Sequence, residues 1–287
     1  ESFHLHRQAQ GHRARILGML LVPVEADGRI PLRRAPEVAE ACREACGQRE
    51  EAFVVALREV QAWVGAHEWR KKGVPIAALG ANIHPWYGVF SPVRGEYVDL
   101  VAQAPLPATE LAFDIGTGTG VLAAVLAKRG IAKVVATDQD ERALACARDN
   151  LERLGVSKQV ELQAADLFPA GQSPLIVCNP PWVPAKPTSP IEYAVYDPDC
   201  RMLKGFLAGV AAHLAPGGEA WLILSDIAEH LGLRSRADLE GWIAAGGLMV
   251  LSRVDTQPRH GKASDANDPL HAARAKEVTS LWRLAVC

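Results

Sequence analysis

Two short segments of the sequence hold residues whose types and spacing are suited to chemistry. The first is a glycine-rich turn at Phe113–Gly120, and the second is an Asn-Pro-Pro-Trp tetrad at Asn179–Trp182. Glycines let a backbone turn tightly and approach a ligand, because no Cβ stands in the way. An amide oxygen beside an aromatic ring can accept N–H groups from a flat nitrogen compound and hold it against the ring. We therefore expect a ligand site at the first segment and a planar nitrogen at the second.

The spacing of the glycines narrows the choice of ligand. A dinucleotide fingerprint requires G-x-G-x-x-G, and Val121 stands where its third glycine would be. This disfavours an NAD-dependent dehydrogenase. An acid followed by G-x-G-x-G instead resembles the first motif of class I S-adenosylmethionine-dependent methyltransferases. The resemblance implies that the loop lies against the amino-acid part of S-adenosylmethionine and that Asp114 helps to hold its ammonium end. The cofactor residues expected in this loop are Asp114, Gly116, Thr117, Gly118 and Gly120.

Further acids follow the next two predicted strands. A carboxylate at Asp138 can accept hydrogen bonds from two ribose hydroxyls. The resemblance implies that Asp166 contacts the adenine amino group and that Leu167 packs on the ring. Either acid alone is also typical of an ordinary turn, but ligands bind where the strands of such sheets end. The expected cofactor residues outside the glycine turn are Asp138, Gln139, Asp166, Leu167 and Asn179.

The tetrad predicts how a poor nucleophile is activated. The lone pair of an amide or exocyclic amino nitrogen is delocalised until acceptors hold its N–H groups, and Asn179 Oδ1 and the Pro180 carbonyl can do so. Trp182 offers a flat apolar face, so we expect Asn179, Pro180 and Trp182 to be catalytic. Positioning supplies much of the acceleration, and no strong base or metal is expected. The structural alternative is that Pro-Pro merely ends a buried strand.

The tetrad resembles that of the N-specific methyltransferases, and the order of segments is closest to the release-factor glutamine methyltransferase family. The resemblance implies a protein substrate, such as a translation factor or ribosomal protein, methylated on a glutamine amide. Trp182 replaces the family's usual tyrosine, and Val93–Tyr97 replaces Arg-Pro-Glu-Thr-Glu. The alternatives are N-methylation of adenine or guanine in rRNA, tRNA or DNA, and a non-catalytic nucleotide-binding or scaffold protein.

The segments around these motifs alternate between strand-like and helix-like patterns, which predicts a seven-stranded, mostly parallel, Rossmann-like methyltransferase sheet with helices on both faces. The predicted strands are Leu111–Ile115, Lys133–Thr137, Val160–Ala164, Leu175–Cys178, Ala220–Leu224, Leu248–Val254 and Val278–Ala285. The predicted helices are Val121–Lys128, Glu141–Leu154, Met202–Leu214 and Arg236–Ala245.

Residues before this pattern predict a separate, smaller unit. Apolar residues at helical spacing over Glu37–Trp69, broken at Gly47, indicate two helices. We expect a mainly helical domain at 1–75, a hairpin or linker at 76–105 and the methyltransferase domain at 106–287. His84, Trp86 and Tyr87 either cap the pocket or pack the domains together. Asp265 and His271, in the polar segment Thr256–Glu277, are further candidates for substrate contact.

The composition sets outer limits on function. The chain has 287 residues and a net charge of −2, which gives no general attraction to nucleic acid. No apolar stretch reaches the roughly 18–20 residues of a membrane-spanning helix, and the first residues do not resemble a secretory signal. Six scattered cysteines fit a reducing compartment, so we expect a cytoplasmic protein without a membrane partner. The oligomeric state stays open.

Overall fold

Two units make up the chain in the computed structural model, which describes residues 2–93, 95–186, 192, 195–258 and 268–287. The smaller unit comprises Glu1–Gly73 with His84–Gly88, and the larger comprises Val74–Ile83 with Val89–Cys287. Arg94, within the segment Val93–Tyr97, and the candidate Asp265 lie outside the described residues. Within the described ranges, every helix is too short or too polar to cross a membrane.

The smaller unit combines helices with a short pair of strands. Its elements are α1 (Ser2–Leu17), β1 (Leu21–Val24), α2 (Ala39–Cys46), β2 (Phe53–Ala56) and α3 (Leu57–Lys72). The two strands pair antiparallel, and a small core forms around Val24, Cys42 and Trp63. The expectation that Phe53–Ala56 is helical was wrong. These four residues pair with β1 instead, as β-branched and aromatic residues favour.

The larger unit contains the seven-stranded sheet. Its elements up to the second sheet strand are β3 (Val74–Ile76), β4 (Ala81–Ile83), α4 (Glu96–Gln103), β5 (Leu111–Ile115), α5 (Val121–Lys128) and β6 (Lys133–Asp138). The next are α6 (Glu141–Arg153), β7 (Val160–Ala164), β8 (Ser173–Cys178), α7 (Arg201–His213), β9 (Leu214–Ser225) and α8 (Ile227–His230). The last are α9 (Arg236–Ala245), β10 (Leu248–Thr256), α10 (His271–Arg274) and β11 (Thr279–Val286).

The sheet has the strand order β10-β11-β9-β8-β5-β6-β7. The five strands from β9 to β7 run parallel, whereas β11 is antiparallel to β9 and β10 is antiparallel to β11. Buried residues from α4, α5 and α6 pack with one set of strand side chains, and residues of α7 and α9 pack with the other set. The predicted mostly parallel sheet with helices on both faces is therefore confirmed.

Residues 76–105 differ from the expected hairpin or linker. A hairpin is present, but it is formed by β3 and β4, and it is followed by the two-turn helix α4. Tyr97, Val98 and Val101 of α4 are at most 1% exposed and belong to the larger core. The many prolines and glycines before α4 drew the prediction towards a linker, although the buried residues of so short a helix have helical spacing.

Candidate active site

The register of the sheet brings the two motifs to one edge. Ile115, the last residue of β5, pairs with Cys178, the last residue of β8. Gly116, the first glycine of the turn, and Asn179, the first residue of the tetrad, therefore each follow the last residue of a strand. The two strands are parallel neighbours and lie about 4.8 Å apart. On the other side of β5, Ile115 pairs with Thr137, so Asp138, the last residue of β6, stands at the same level as Gly116. Motifs that are far apart in sequence thus share one edge.

The glycine turn depends on left-handed backbone conformations. Gly116, Gly118 and Gly120 have φ of 72°, 54° and 79°, a region that side chains other than glycine rarely adopt. A Cβ at Gly116 would lie 2.5 Å from Met202 Cε, whereas a Cβ at Gly118 would meet no heavy atom within 4 Å. The turn is closed by α7 at its first glycine and open at its second, where a ligand can approach the backbone.

Asp114 holds the turn from inside the core. It is 1% exposed, and its Oδ2 accepts hydrogen bonds from Thr117 Oγ1 at 2.7 Å and from Ala123 N at 3.1 Å. Burial raises the pKa of Asp114 to about 6, although both hydrogen bonds act in the opposite direction. The carboxyl group therefore links β5 to the turn and to the first turn of α5. Its contact with an ammonium group stays a prediction.

Asp138 is tied to the same turn from the neighbouring strand. Its Oδ2 accepts a hydrogen bond from Gly118 N and its Oδ1 accepts one from Asp140 N, both at 3.0 Å. The residue is half-buried, and burial raises its pKa, while Gln139 beside it is exposed. A carboxylate has about four acceptor positions, so some acceptor capacity remains beyond these bonds. This arrangement fits a pair of ribose hydroxyls.

Asp166 and Leu167 follow β7 by two and three residues. The Asp166 carboxylate forms an ion pair of 2.7 Å with Arg201 Nη2, and both side chains are at least 60% exposed. Leu167 has a left-handed φ of 79°, and its carbonyl accepts a hydrogen bond from Thr137 Oγ1 at 2.5 Å. Such a φ is unfavourable for leucine, so this bond helps to fix the segment beside β6. The pairing of Asp166 with Arg201 was not expected.

The tetrad has an internal hydrogen bond. Trp182 Nε1 donates to Asn179 Oδ1 at 2.9 Å, and both residues are half-buried. The Trp182 ring meets Tyr97 of α4 edge to face, with centroids 6.4 Å apart and an interplanar angle of 89°. Trp182 also packs against both halves of the core, beyond the end of β8. One lone pair of Asn179 Oδ1 therefore accepts the Trp182 N–H, and Tyr97 packs against the Trp182 ring.

Asp197 is a site residue that the sequence analysis missed. Its Oδ1 accepts from Met202 N at 3.0 Å and its Oδ2 from Leu203 N at 3.2 Å, so it caps the start of α7. Its own N–H donates to the Val183 carbonyl at 2.9 Å, directly after the tetrad. Asp197 thus links the segment that follows the tetrad to α7. An aspartate followed by proline, just before a predicted helix, was the available signal.

Two buried thiols lie close to this edge. Burial raises the pKa of Cys178 and of Cys200, so both thiols stay protonated at neutral pH. Neither is suited to act as a nucleophile. The polar groups that the described residues bring to this edge include carboxylates, an amide and the indole of Trp182.

The remaining candidate residues are His84, Trp86, Tyr87 and His271. His84 Nδ1 lies 2.7 Å from the Arg70 carbonyl, the Trp86 ring lies 4.4 Å from the Arg70 guanidinium, and Tyr87 Oη donates to Glu59 at 3.2 Å. These three side chains thus contact α3 within the smaller unit. His271 begins α10, a helix that contacts α8. A role in substrate binding stays a hypothesis for all of them.

Comparison with known proteins adds a family and two relatives. A family model described as methyltransferase small domain matches residues 87–237, just over half of the chain. The release factor glutamine methyltransferase of Cereibacter sphaeroides is 32% identical over 200 residues, which cover 63% of this chain and 65% of that protein. The tRNA1(Val) (adenine(37)-N6)-methyltransferase of Serratia proteamaculans is 33% identical over 171 residues, covering 56% and 65%. The chain thus spans slightly less than two thirds of either relative.

The chain also resembles a solved structure at low sequence identity. The ribosomal protein L11 methylase of Lactobacillus delbrueckii subsp. bulgaricus superposes with a TM-score of 0.48 at 19% identity, covering 69% of this chain and 82% of that one. This likeness is too distant to bear on the choice of substrate.

Proposed function

Because this chain belongs to the methyltransferase small domain family, we propose that it transfers a methyl group from S-adenosylmethionine to a planar nitrogen. The favoured acceptor is the side-chain amide of a protein glutamine. The observation that carries the proposal is the pairing of Ile115 with Cys178, which starts the glycine turn and the tetrad at the same level on adjacent strands. A donor at the first loop and an acceptor at the second would then be neighbours.

The residues of the glycine turn suit the amino-acid and ribose parts of the cofactor. Gly118 leaves open space beside the backbone, and Asp138 keeps acceptor positions for hydroxyl groups. Asp114 stands behind the turn, where its carboxylate favours a positively charged ammonium group. S-adenosylmethionine, when bound, supplies a methyl group on a positively charged sulfur that a nitrogen lone pair can attack. Asp166 and Leu167 are the proposed adenine contacts.

The tetrad provides acceptors for the N–H groups of the substrate. Asn179 Oδ1 has two lone pairs, of which the Trp182 N–H uses one, and the other is left for a substrate N–H. We assign the second substrate N–H to the Pro180 carbonyl. Holding both N–H groups localises the nitrogen lone pair and aims it at the donor. Trp182 forms the wall against which the planar group lies.

A protein glutamine is favoured over a nucleic-acid base on two grounds. The release-factor relative aligns over more of this chain than the tRNA relative does, 63% against 56%. The net charge of −2 also gives little general attraction to phosphate, on which nucleic-acid affinity mainly depends. The tRNA relative keeps adenine N6 as the second candidate, because its identity to this chain is as high. A base would have to be unstacked to enter such a site.

The setting we propose is the cytoplasm, with a translation factor or ribosomal protein as partner. All six cysteines are free thiols, as a reducing compartment would maintain them. We assign the methyltransferase activity to the larger unit, since it contains both motifs.

The test is methyl transfer from tritiated S-adenosylmethionine into a bacterial cell extract and into purified bacterial release factor. Parallel samples are treated with ribonuclease or with protease, and the Asn179→Ala variant is the matched control. We expect label that resists ribonuclease, is released by protease and is absent with the variant. Label lost with ribonuclease would establish the nucleic-acid alternative. If the wild-type protein binds the cofactor but labels neither fraction, the proposed activity is wrong.

A further inference from the structure

The tryptophan of the tetrad does more than offer a flat face. A phenyl or phenol ring at this position has no ring N–H, whereas the indole of Trp182 donates one to Asn179 Oδ1 at 2.9 Å. The same ring is held edge to face by Tyr97, which is 1% exposed. The donor of this hydrogen bond is therefore itself fixed by the core.

This hydrogen bond selects one orientation of the Asn179 amide. The amide presents an oxygen acceptor on one side and an NH₂ donor on the other, and only the oxygen can accept the indole N–H. After a half-turn of the amide, two donors would face each other and the indole N–H would lose its partner. Leaving a half-buried donor without a partner is costly, so the flipped state is disfavoured. The oxygen is thereby kept on the side of Trp182.

The orientation matters for the reaction because a flipped amide would present N–H groups to the substrate. A donor cannot hold a substrate N–H, so the lone pair of the acceptor nitrogen would stay delocalised. From this geometry, and resting on the proposed methyl transfer, we infer that Trp182 is a positioning residue that acts through Asn179. Its indole N–H keeps Asn179 Oδ1 available as an acceptor, and Tyr97 fixes the angle of the indole ring. The tryptophan therefore carries a function that a tyrosine in its place lacks.

The experiment removes only the N–H. Trp182 is replaced with 3-benzothienylalanine, in which sulfur takes the place of the indole N–H in a ring of the same size. The chain has seven tryptophans, so the replacement must be made at one codon rather than throughout the protein. We expect kcat for methyl transfer to purified bacterial release factor to fall about three- to tenfold. This is the usual net contribution of one hydrogen bond. The Kd of S-adenosylhomocysteine should stay within about twofold of the wild-type value, because the donor side is unchanged.

A second background distinguishes positioning from simple packing. In Asn179→Asp, both sides of the side chain are oxygen acceptors, so a half-turn changes nothing and no orienting donor is needed. There, the benzothienyl replacement should alter kcat by less than about twofold. Trp242 of α9, whose ring lies 4.8 Å from Lys204 Nζ, is the control position for the same replacement. We expect no change in kcat from that control.

Three outcomes would overturn the inference. The first is a kcat for the Trp182 replacement within twofold of wild type. The second is an equal fall in kcat whether the replacement is made in the wild-type chain or in the Asn179→Asp variant. The third is a fall that is explained by lost cofactor affinity. If the replacement impairs folding, Trp182→Phe is compared in the same two backgrounds. A failure of the proposed function is distinct, because the wild-type protein itself would then transfer no methyl group.

Discussion

The glycine turn and the tetrad start from paired residues, yet they are held in place differently. The turn is fixed by carboxylates of the two strands beside it, since Asp114 binds Thr117 and Asp138 binds Gly118. The tetrad relies on side chains from other parts of the chain. Tyr97 of α4 supports its tryptophan, and Asp197 joins the segment after it to α7. The glycine turn, which is the proposed cofactor site, is thus fixed largely by its own strands, whereas the tetrad, which is the proposed acceptor site, is held by distant segments.

This contrast explains why the cofactor is easier to infer than the substrate. A self-contained turn can keep its geometry while the rest of the chain changes, so its motif can be recognised in the sequence alone. An assembled acceptor site changes whenever one of its supporting segments changes. The release-factor and tRNA relatives, which have similar identity to this chain, have names that specify different acceptors. Substitutions at Asn179, Asp114 and Asp138 test the tetrad and the glycine turn separately, in order of decreasing expected effect.

Asn179→Ala should abolish most of the activity and weaken cofactor binding only slightly, although Asn179 is also one of the expected cofactor contacts. We expect kcat to fall about 100- to 1000-fold, as when one preorganised hydrogen-bonding group is removed from an active site. The Kd of S-adenosylmethionine should change less than about threefold, as measured by calorimetry. Asn179→Asp, which keeps oxygen acceptors, should lose less activity than Asn179→Ala. A large loss of cofactor affinity in Asn179→Ala would show that the two sides are not separate.

Asp114→Asn tests the internal support of the glycine turn. The raised pKa means that the folded chain binds this proton more tightly than the unfolded chain does. Its contribution to folding is therefore present below the ordinary pKa of 3.8 and is lost as the pH rises through about 6. The single Oδ2 that accepts both hydrogen bonds can be replaced by the asparagine oxygen. We expect the variant to be more stable at pH 7 by up to about 3 kcal/mol.

Urea unfolding at several pH values measures this effect. The wild-type free energy of unfolding should include a component that declines between about pH 4 and pH 6, and this component should be missing in Asp114→Asn. Asp27→Asn, at an exposed turn of the smaller unit, is the control, with an expected change below about 0.5 kcal/mol. The same pH dependence of the free energy of unfolding in wild type and Asp114→Asn would contradict the raised pKa of the buried Asp114 carboxyl group.

Asp138→Ala should weaken cofactor binding and leave the acceptor side intact. Loss of the proposed ribose contacts should raise the Kd of S-adenosylmethionine about ten- to thirtyfold. The kcat at saturating cofactor should fall much less than in Asn179→Ala. Asp140→Ala is the matched control, because Asp140 caps α6 through Arg142 N only two residues away. That variant should lose about 1 kcal/mol of stability but keep its cofactor affinity. An unchanged Kd in Asp138→Ala would remove Asp138 from the cofactor site.

Much of the fold could be predicted from local patterns. The bounds of β5, α5, β7 and α9 agree with the structure, because each is a clear apolar segment flanked by turn residues. The short strand β2 was missed, since its four residues run directly into α3 and extend the same apolar pattern. The short helix α4 was missed as well, because it has only eight residues and follows a segment rich in proline and glycine. Short elements depend on partners that the local sequence does not specify.

The candidate site was also predictable from the sequence only in part. Sequence motifs were enough to predict that the glycine turn, Asp138 and the tetrad lie at one edge, because strand ends in such sheets share one edge, while the binding roles of these residues stay predictions. The hydrogen bond from Trp182 to Asn179 could not be predicted, since it depends on how the ring is turned by Tyr97. The ion pair of Asp166 with Arg201 joins residues that are 35 positions apart. Contacts of this kind are set by packing of the whole unit.

The most direct test is a crystal structure of the protein with S-adenosylhomocysteine, the demethylated cofactor. The ribose hydroxyls should lie within hydrogen-bonding distance of the Asp138 carboxylate, and the sulfur should face Asn179 across the gap between the two loops. If the adenine end faces Asn179, or if the ligand binds away from Gly118, then this edge of the sheet is not a methyl-transfer site.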